Sequence, residues 1–261
     1  MKLTRKWVIK KLPKRPKDAN KGTFGKVLVI AGSKNYPGAA YLSCAACYRV
    51  GAGLVTLATS PSVKIIVSRQ LPEVTFLPFD EVSKKIGQYD VLLIGPGLEQ
   101  DYHLPVANLP PAVIDAGSLK WGIKLKGNAV LTPHPGEMAK LTGLSVKEIQ
   151  SDRINIAKSY AAKWKKIIVL KGANTIIAPP EGQVAISPFA NPLLSTAGTG
   201  DILAGIIAGF LAQGLEIFDA ACVGVYIHGL AGEIMRKKIG NTGLLAGDLL
   251  PLLPQIIKNL T

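Results

Sequence analysis

The feature that most constrains this chain is a set of short β-branched runs with no polar alternation. Val27-Leu28-Val29-Ile30 and Val91-Leu92-Leu93-Ile94 are apolar at every position. Successive side chains of a strand point to opposite faces, so runs of this kind are buried on both. A sheet covered by helices on each face meets that demand, and such sheets are mostly parallel. Nine runs fit a strand: 26–31, 54–59, 74–77, 91–94, 112–115, 129–132, 167–170, 175–178 and 184–187.

Helical patterns fill the gaps. One spans 37–50, and Ser145-Val146-Lys147-Glu148 has the form of a capping box that opens a short helix. Residues 151–165 carry an apolar stripe ending at Tyr160, Ala161 and Trp164. Residues 199–213 and 218–238 form a late pair, the second closing on Arg236, Lys237 and Lys238, where cations complement the helix dipole. A last helix is expected over 248–259. The alternation predicts an α/β fold, a central mostly parallel sheet flanked by helices on both faces, in one domain over residues 1–261. Open sheets of this type bind ligands at the carboxyl ends of their strands.

Charge and cysteine usage narrow the function classes. The chain has 31 Lys+Arg against 17 Asp+Glu, a net charge of +14, which suits an anionic ligand. Lys10, Lys11, Lys14, Arg15 and Lys17 place part of the excess in residues 2–26, read here as a solvated basic arm. No helix interleaves Lys/Arg with aromatics and no nucleic-acid module is recognisable, so no nucleic-acid partner is expected. The N-terminus lacks a long apolar signal stretch, and the longest apolar runs are broken by Gly, Asp or Lys. No membrane segment is therefore expected, and the cytoplasm is the expected compartment. Cys44 and Cys47 form a C-x-x-C inside the small apolar run 39–50. With no second pair or nearby His to complete a zinc set, they read as buried structural residues, and no metal ligands are assigned.

The motifs with chemical content all follow predicted strands or open predicted helices. In Thr196-Ala197-Gly198-Thr199-Gly200-Asp201, glycines open into a strongly helical apolar run. Backbone N–H groups at a helix start form an anion site, and Asp201 stands beside it. Two readings fit Asp201: a base that takes a proton from an attacking hydroxyl, or a helix cap. Lys171-Gly172-Ala173-Asn174-Thr175 follows 167–170 and is either a phosphate-binding loop or a plain hairpin turn. Thr132-Pro133-His134-Pro135-Gly136-Glu137 holds His134 between two prolines at a strand end, while Glu137 equally fits the first turn of a helix. Gly95-Pro96-Gly97-Leu98 makes a rigid turn, and Pro37-Gly38-Ala39-Ala40 opens another helix. Neither the dinucleotide-fold glycine spacing nor a P-loop occurs, so nucleotide binding requires another scheme.

In this order, these motifs resemble one family, the ADP/ATP-dependent NAD(P)H-hydrate dehydratases, whose fold is ribokinase-like. The likeness runs from about Lys21 to about Leu253 and adds Lys21-Gly22-Thr23-Phe24-Gly25-Lys26 and Gly51-Ala52-Gly53-Leu54-Val55 to the segments above. The resemblance implies repair of the S-epimer of NADH hydrate and NADPH hydrate. ADP (or ATP) would phosphorylate the hydrate, and phosphate elimination would restore the nicotinamide, leaving AMP and phosphate. By the same resemblance Asp201 is catalytic, and Ala39, Gly97, His134 and Asp201 line the hydrate site. Lys171, Gly172, Ala173, Asn174, Thr175 and Gly200 take the nucleotide, and Mg²⁺ accompanies it. A separate NAD(P)H-hydrate epimerase and assembly into a homo-oligomer are also implied. Two positions depart from the family pattern: Ala197 stands where Gly is common, and Ala190-Asn191-Pro192 replaces a Gly-Asn pair. The alternative is a small-molecule kinase of the same fold, of the hydroxymethylpyrimidine or hydroxyethylthiazole type. Such kinases share the Gly-Thr-Gly-Asp turn but usually not the proline-framed His134.

Overall fold

The computed structural model describes residues 1–99, 104 and 109–261. Nine strands form one sheet among the described residues: β1 (Lys26–Ile30), β2 (Leu54–Ala58), β3 (Thr75–Leu77), β4 (Val91–Ile94), β5 (Ala112–Ile114), β6 (Ala129–Leu131), β7 (Ile167–Leu170), β8 (Ile176–Ala178) and β9 (Ala185–Ile186). Their order is β3-β2-β1-β4-β5-β6-β7-β8-β9. Strands β1 to β7 pair in parallel, while β8 pairs antiparallel with both β7 and β9. Each expected strand is present, shortened by a residue or two at its ends in most cases.

The helices are α1 (Arg5–Lys11), α2 (Pro37–Arg49), α3 (Pro61–Gln70), α4 (Val82–Lys85), α5 (Leu119–Lys124), α6 (Pro135–Thr142), α7 (Val146–Ser151), α8 (Arg153–Trp164), α9 (Thr199–Ala212), α10 (Ile217–Ile239) and α11 (Leu252–Leu260). The unbroken apolar strands explain why both faces are covered. In β1, Val27 and Val29 join the core beneath α2, α9 and α10, whereas Leu28 and Ile30 join the core on the opposite face beneath α4 and α5. In β7, Val169 faces the first core and Ile168 and Leu170 face α6, α7 and α8.

Chain order steps from β1 outward to β2 and β3, then returns to β4 on the other side of β1. That reversal opens a crevice at the carboxyl ends of β1 and β4, the place where such sheets take ligands. There the Gly32 N–H donates to the Pro96 carbonyl at 2.8 Å.

Helices α2 and α9 cross closely because α9 carries glycine at the crossing. A Cβ on Gly205 would lie 2.4 Å from the Ser43 carbonyl oxygen, and one on Gly209 would lie 2.4 Å from Val50 Cγ2. Cys44 and Cys47 lie fully buried in this packing, and the Cys47 thiol donates to the Gly205 carbonyl at 3.2 Å. Burial pushes both thiols up, as structural cysteines require.

One expectation needs correction. Residues 2–26 are not simply a solvated arm. Leu3, Val8 and Leu12 are buried along one side of α1 and its flanks, while Lys10, Lys14 and Lys17 stay exposed. The Leu3 N–H donates to the Ile186 carbonyl at 2.9 Å, Lys11 pairs with Asp219 at 2.6 Å, and Arg15 lies over the Phe24 ring. Helix α10 is long and apolar enough to cross a membrane by composition, with a mean hydropathy of 1.3 over its best window. Two-thirds of that window is buried inside the fold, against α9 and the sheet, which accounts for its apolarity.

The α2–α9 crossing gives the first prediction. Gly205→Val overpacks a backbone-to-backbone contact and is expected to lower stability by about 1–3 kcal/mol. Chemical denaturation reads this as a lower midpoint, and an unchanged midpoint would contradict the close crossing.

Candidate active site

Segments after three strands and the start of α9 converge on one ion cluster. Asp115 follows β5 and is 2% exposed. Thr132 follows β6, and its hydroxyl donates to Asp115 Oδ1 at 2.6 Å. Lys171 follows β7, and its ammonium lies 2.9 Å from Asp115 Oδ1 and 3.6 Å from Glu137 Oε2. Glu137 is in the first turn of α6, where its Oε2 accepts from the His134 N–H at 2.7 Å. The fourth segment is the start of α9. A Cβ on Gly200 would sit 3.4 Å from Lys171 Nζ, so the ammonium lies against that turn.

The start of α9 is shaped by Gly198, whose φ of +90° is left-handed and open to glycine. Gly198 is the N-cap, and no side chain caps this helix, so Asp201 is not a cap. The Thr199 N–H bonds the Thr196 carbonyl at 3.3 Å, leaving the following first-turn N–H groups for an anion. Ala197 is exposed and is not among the positive-φ residues, so the position that needs glycine is 198. The departure at 197 therefore introduces no left-handed strain.

Asp201 is the most perturbed carboxyl of the cluster. Burial first, and the nearby Asp115 charge second, push its pKa up to about 7, while Lys171 pulls it down in part. For Lys171 the opposing influences run the other way. Burial disfavours its charge, but Asp115 and Glu137 together outweigh it and the net shift is upward. The site thus holds a charged lysine beside a carboxyl poised near neutrality.

A cavity of about 730 Å³ opens beside the cluster, its wall including His134, Lys171, Gly172, Ala173, Thr175 and Gly200. Most of the residues expected at a nucleotide therefore share one cavity. Asn174 does not line it: this residue has φ +52° and forms a turn, its N–H bonding Phe189 O at 2.8 Å and its side-chain amide bonding Ser187 O at 3.0 Å. Ala39 and Gly97 are not in its wall either. They adjoin each other, since a Cβ on Gly97 would lie 2.7 Å from that of Ala39. One turn after Ala39, Leu42 lies 2.7 Å from where a Cβ on Gly198 would sit, so α2 packs against the start of α9.

His134 caps α6. Its Nδ1 accepts from the N–H groups of Gly136 at 3.0 Å and Glu137 at 3.3 Å, and Glu137 reciprocates, completing a capping box. Its ring remains about half exposed, with Nε2 3.6 Å from Glu137 Oε1.

The comparisons with known proteins follow this geometry. The sequence family described as NAD(P)H-hydrate dehydratase matches residues 27–255. The chain belongs to the NAD(P)H-hydrate dehydratase family. An ADP-dependent (S)-NAD(P)H-hydrate dehydratase from Bacillus subtilis is 37% identical over 95% of this chain and 94% of its own length. A bifunctional NAD(P)H-hydrate repair enzyme from Moorella thermoacetica is 40% identical over 99% of this chain, and the chain spans about half of that relative's length. The solved structure of the Bacillus subtilis ADP/ATP-dependent NAD(P)H-hydrate dehydratase, co-crystallised with ATP and Mg²⁺, superposes with a TM-score of 0.91 at 36% identity, covering 99% of this chain and 98% of that one. The fold is accordingly ribokinase-like.

Within this hydrate dehydratase family fold, residue-level reasoning missed two kinds of participant. Asp115 carried one signal, its place at the end of the run 112–115. His228, buried in α10 at the cavity wall with its pKa pushed down to about 4 by burial, had none.

The electrostatics of Asp201 give a second prediction. Its proton is held more tightly in the folded chain than in the unfolded one, where Asp titrates near about 4. The stability this supplies is present below that value and is lost as pH rises through about 7. Asp201→Asn should therefore raise the melting temperature at pH 8 more than at pH 5. An equal effect at both would contradict the raised pKa.

Proposed function

We propose that this chain is an ADP-dependent (S)-NAD(P)H-hydrate dehydratase, with ATP as an alternative phosphoryl donor. The observation that carries the reading is Asp201, a carboxyl with pKa about 7 in the first turn of α9, beside an uncapped helix start and a lysine. A base is most effective when its pKa lies near the working pH, and an uncapped helix start receives phosphate. Family membership adds the substrate class.

In this reading Asp201 is catalytic. It takes the proton of the hydrate hydroxyl as that oxygen bonds the terminal phosphorus of ADP. The phosphoanhydride bond breaks and AMP leaves. Phosphate then departs from the ring carbon with the hydroxyl oxygen, the adjacent carbon gives up its proton, and the electron pair left behind forms the ring double bond. The water of hydration is thus removed as part of phosphate. Ala39, Gly97 and His134 bind the hydrate with Asp201. Gly172, Ala173, Thr175 and Gly200 bind the nucleotide, with Asn174 shaping their turn. Lys171, held against Gly200, offsets charge between the two ligands.

Mg²⁺ fits as a companion of the nucleotide. Among the described residues no group of three His, Cys, Asp or Glu side chains is placed to hold a metal, and Asp115 and Glu137 are engaged by Lys171. Mg²⁺ commonly keeps several waters and is bound through phosphates with one or two carboxylates, and it supplies charge neutralisation there. The proposal extends to a cytoplasmic homo-oligomer working with an NAD(P)H-hydrate epimerase, a pairing supported by the bifunctional relatives.

Incubation with NADH hydrate, ADP and Mg²⁺ is expected to restore reduced-nicotinamide absorbance, and Asp201→Asn to lower kcat by about 10²–10⁴. Consumption of nucleotide with a stable phosphorylated product would instead identify a kinase. No turnover of the hydrate would overturn the proposal.

A further inference from the structure

The loop after β7 is held from behind by one side chain that neither the motifs nor the family resemblance singles out. Arg153, the first residue of α8, directs its guanidinium at this loop. Its Nη2 donates to the carbonyls of Leu170 at 3.1 Å and Lys171 at 3.2 Å, and its Nη1 donates to the carbonyl of Ala173. Three of four consecutive residues thus give their carbonyls to one planar group.

The loop sequence is matched to that clamp. Gly172 has φ +138°, and a Cβ there would lie 2.9 Å from Arg153 Nη2. The guanidinium occupies the space a side chain at 172 would need. From the other side, the Lys171 N–H donates to the Pro133 carbonyl at 2.9 Å. Lys171 is therefore gripped at both backbone ends, by the strand end before α6 and by Arg153. Its ammonium reaches Asp115 and the Gly200 turn from that fixed base.

Arg153 is also a cation without an acid. It makes no ion pair among the described residues, its Nε is buried with no hydrogen-bond partner, and burial lowers its pKa. A half-buried guanidinium with no acidic partner is unfavourable unless its surroundings use it. Two of its three acceptors, the carbonyls of Lys171 and Ala173, belong to cavity-wall residues, and an anionic ligand on that wall would add the missing charge.

We infer that Arg153 is a positioning residue for nucleotide binding: it fixes the Lys171–Ala173 wall in the conformation that receives the nucleotide phosphates and sets Lys171 between the two substrates. This inference rests on the proposed function for the identity of the ligand, but not for the clamp itself. The planar fork matters, because a lysine ammonium is a single point donor and cannot span three carbonyls.

The test uses the full chain with Arg153→Met and Arg153→Lys. In the unliganded protein, hydrogen exchange at the 171–175 amides is expected to quicken about tenfold or more in Arg153→Met, with β7 and α9 still protected. Titration with ADP and Mg²⁺ is expected to show affinity weakened about tenfold in Arg153→Met and several-fold in Arg153→Lys. Affinity for NADH, a probe of the other side of the site, should stay within about twofold. A merely structural role would loosen β7 and weaken both ligands together, and that result overturns the inference. So does wild-type exchange at 171–175 in Arg153→Met. Failure of the wild-type chain to bind ADP would instead count against the proposed function, leaving the exchange result to judge the clamp.

Discussion

The ammonium of Lys171 is the interaction on which the site depends. It lies 2.9 Å from Asp115, 3.6 Å from Glu137 and against the Gly200 turn, so it joins the ends of β5 and β7 to the starts of α6 and α9. A buried ion pair is weak evidence for stability, because desolvation offsets much of the attraction. Its consequence here is electrostatic. Burial first and the Asp115 charge second push Asp201 up to about 7, and one lysine among three carboxyl groups pulls it back only in part. A second cation in the cluster would lower that value, and loss of Asp115 would do the same.

The fold supports this cluster at a distance. The α2–α9 crossing brings the starts of two helices together, with Leu42 touching Gly198. The α9 turn forms part of the cavity wall, and Ala39 and Gly97 adjoin each other outside that wall. Asp201 stands in the first turn of that helix.

Strands were the most legible part of the sequence, because an apolar run with no alternation has few other uses. Val27 to Ile30 and Val91 to Ile94 are buried on both faces as that logic requires. Helix α1 was not legible: its lysines hide a buried side of only Leu3, Val8 and Leu12, too sparse to read as a stripe. In the site, Asp201, Lys171 and Gly200 were visible because glycines and strand ends mark them. The pairing of Lys171 with Asp115, 56 residues apart, is a product of strand order and has no local signal. Arg153 was invisible for the same reason, and adjacency in a loop does not fix which side chains face a cavity, as Asn174 beside Gly172, Ala173 and Thr175 illustrates.

The central claim is that the hydrate hydroxyl attacks phosphorus and leaves as phosphate. NADH hydrate labelled with oxygen-18 at that hydroxyl tests it most directly. The account predicts that after turnover with ADP the label is found in the inorganic phosphate by mass spectrometry. Label released into water, with unlabelled phosphate, would contradict it.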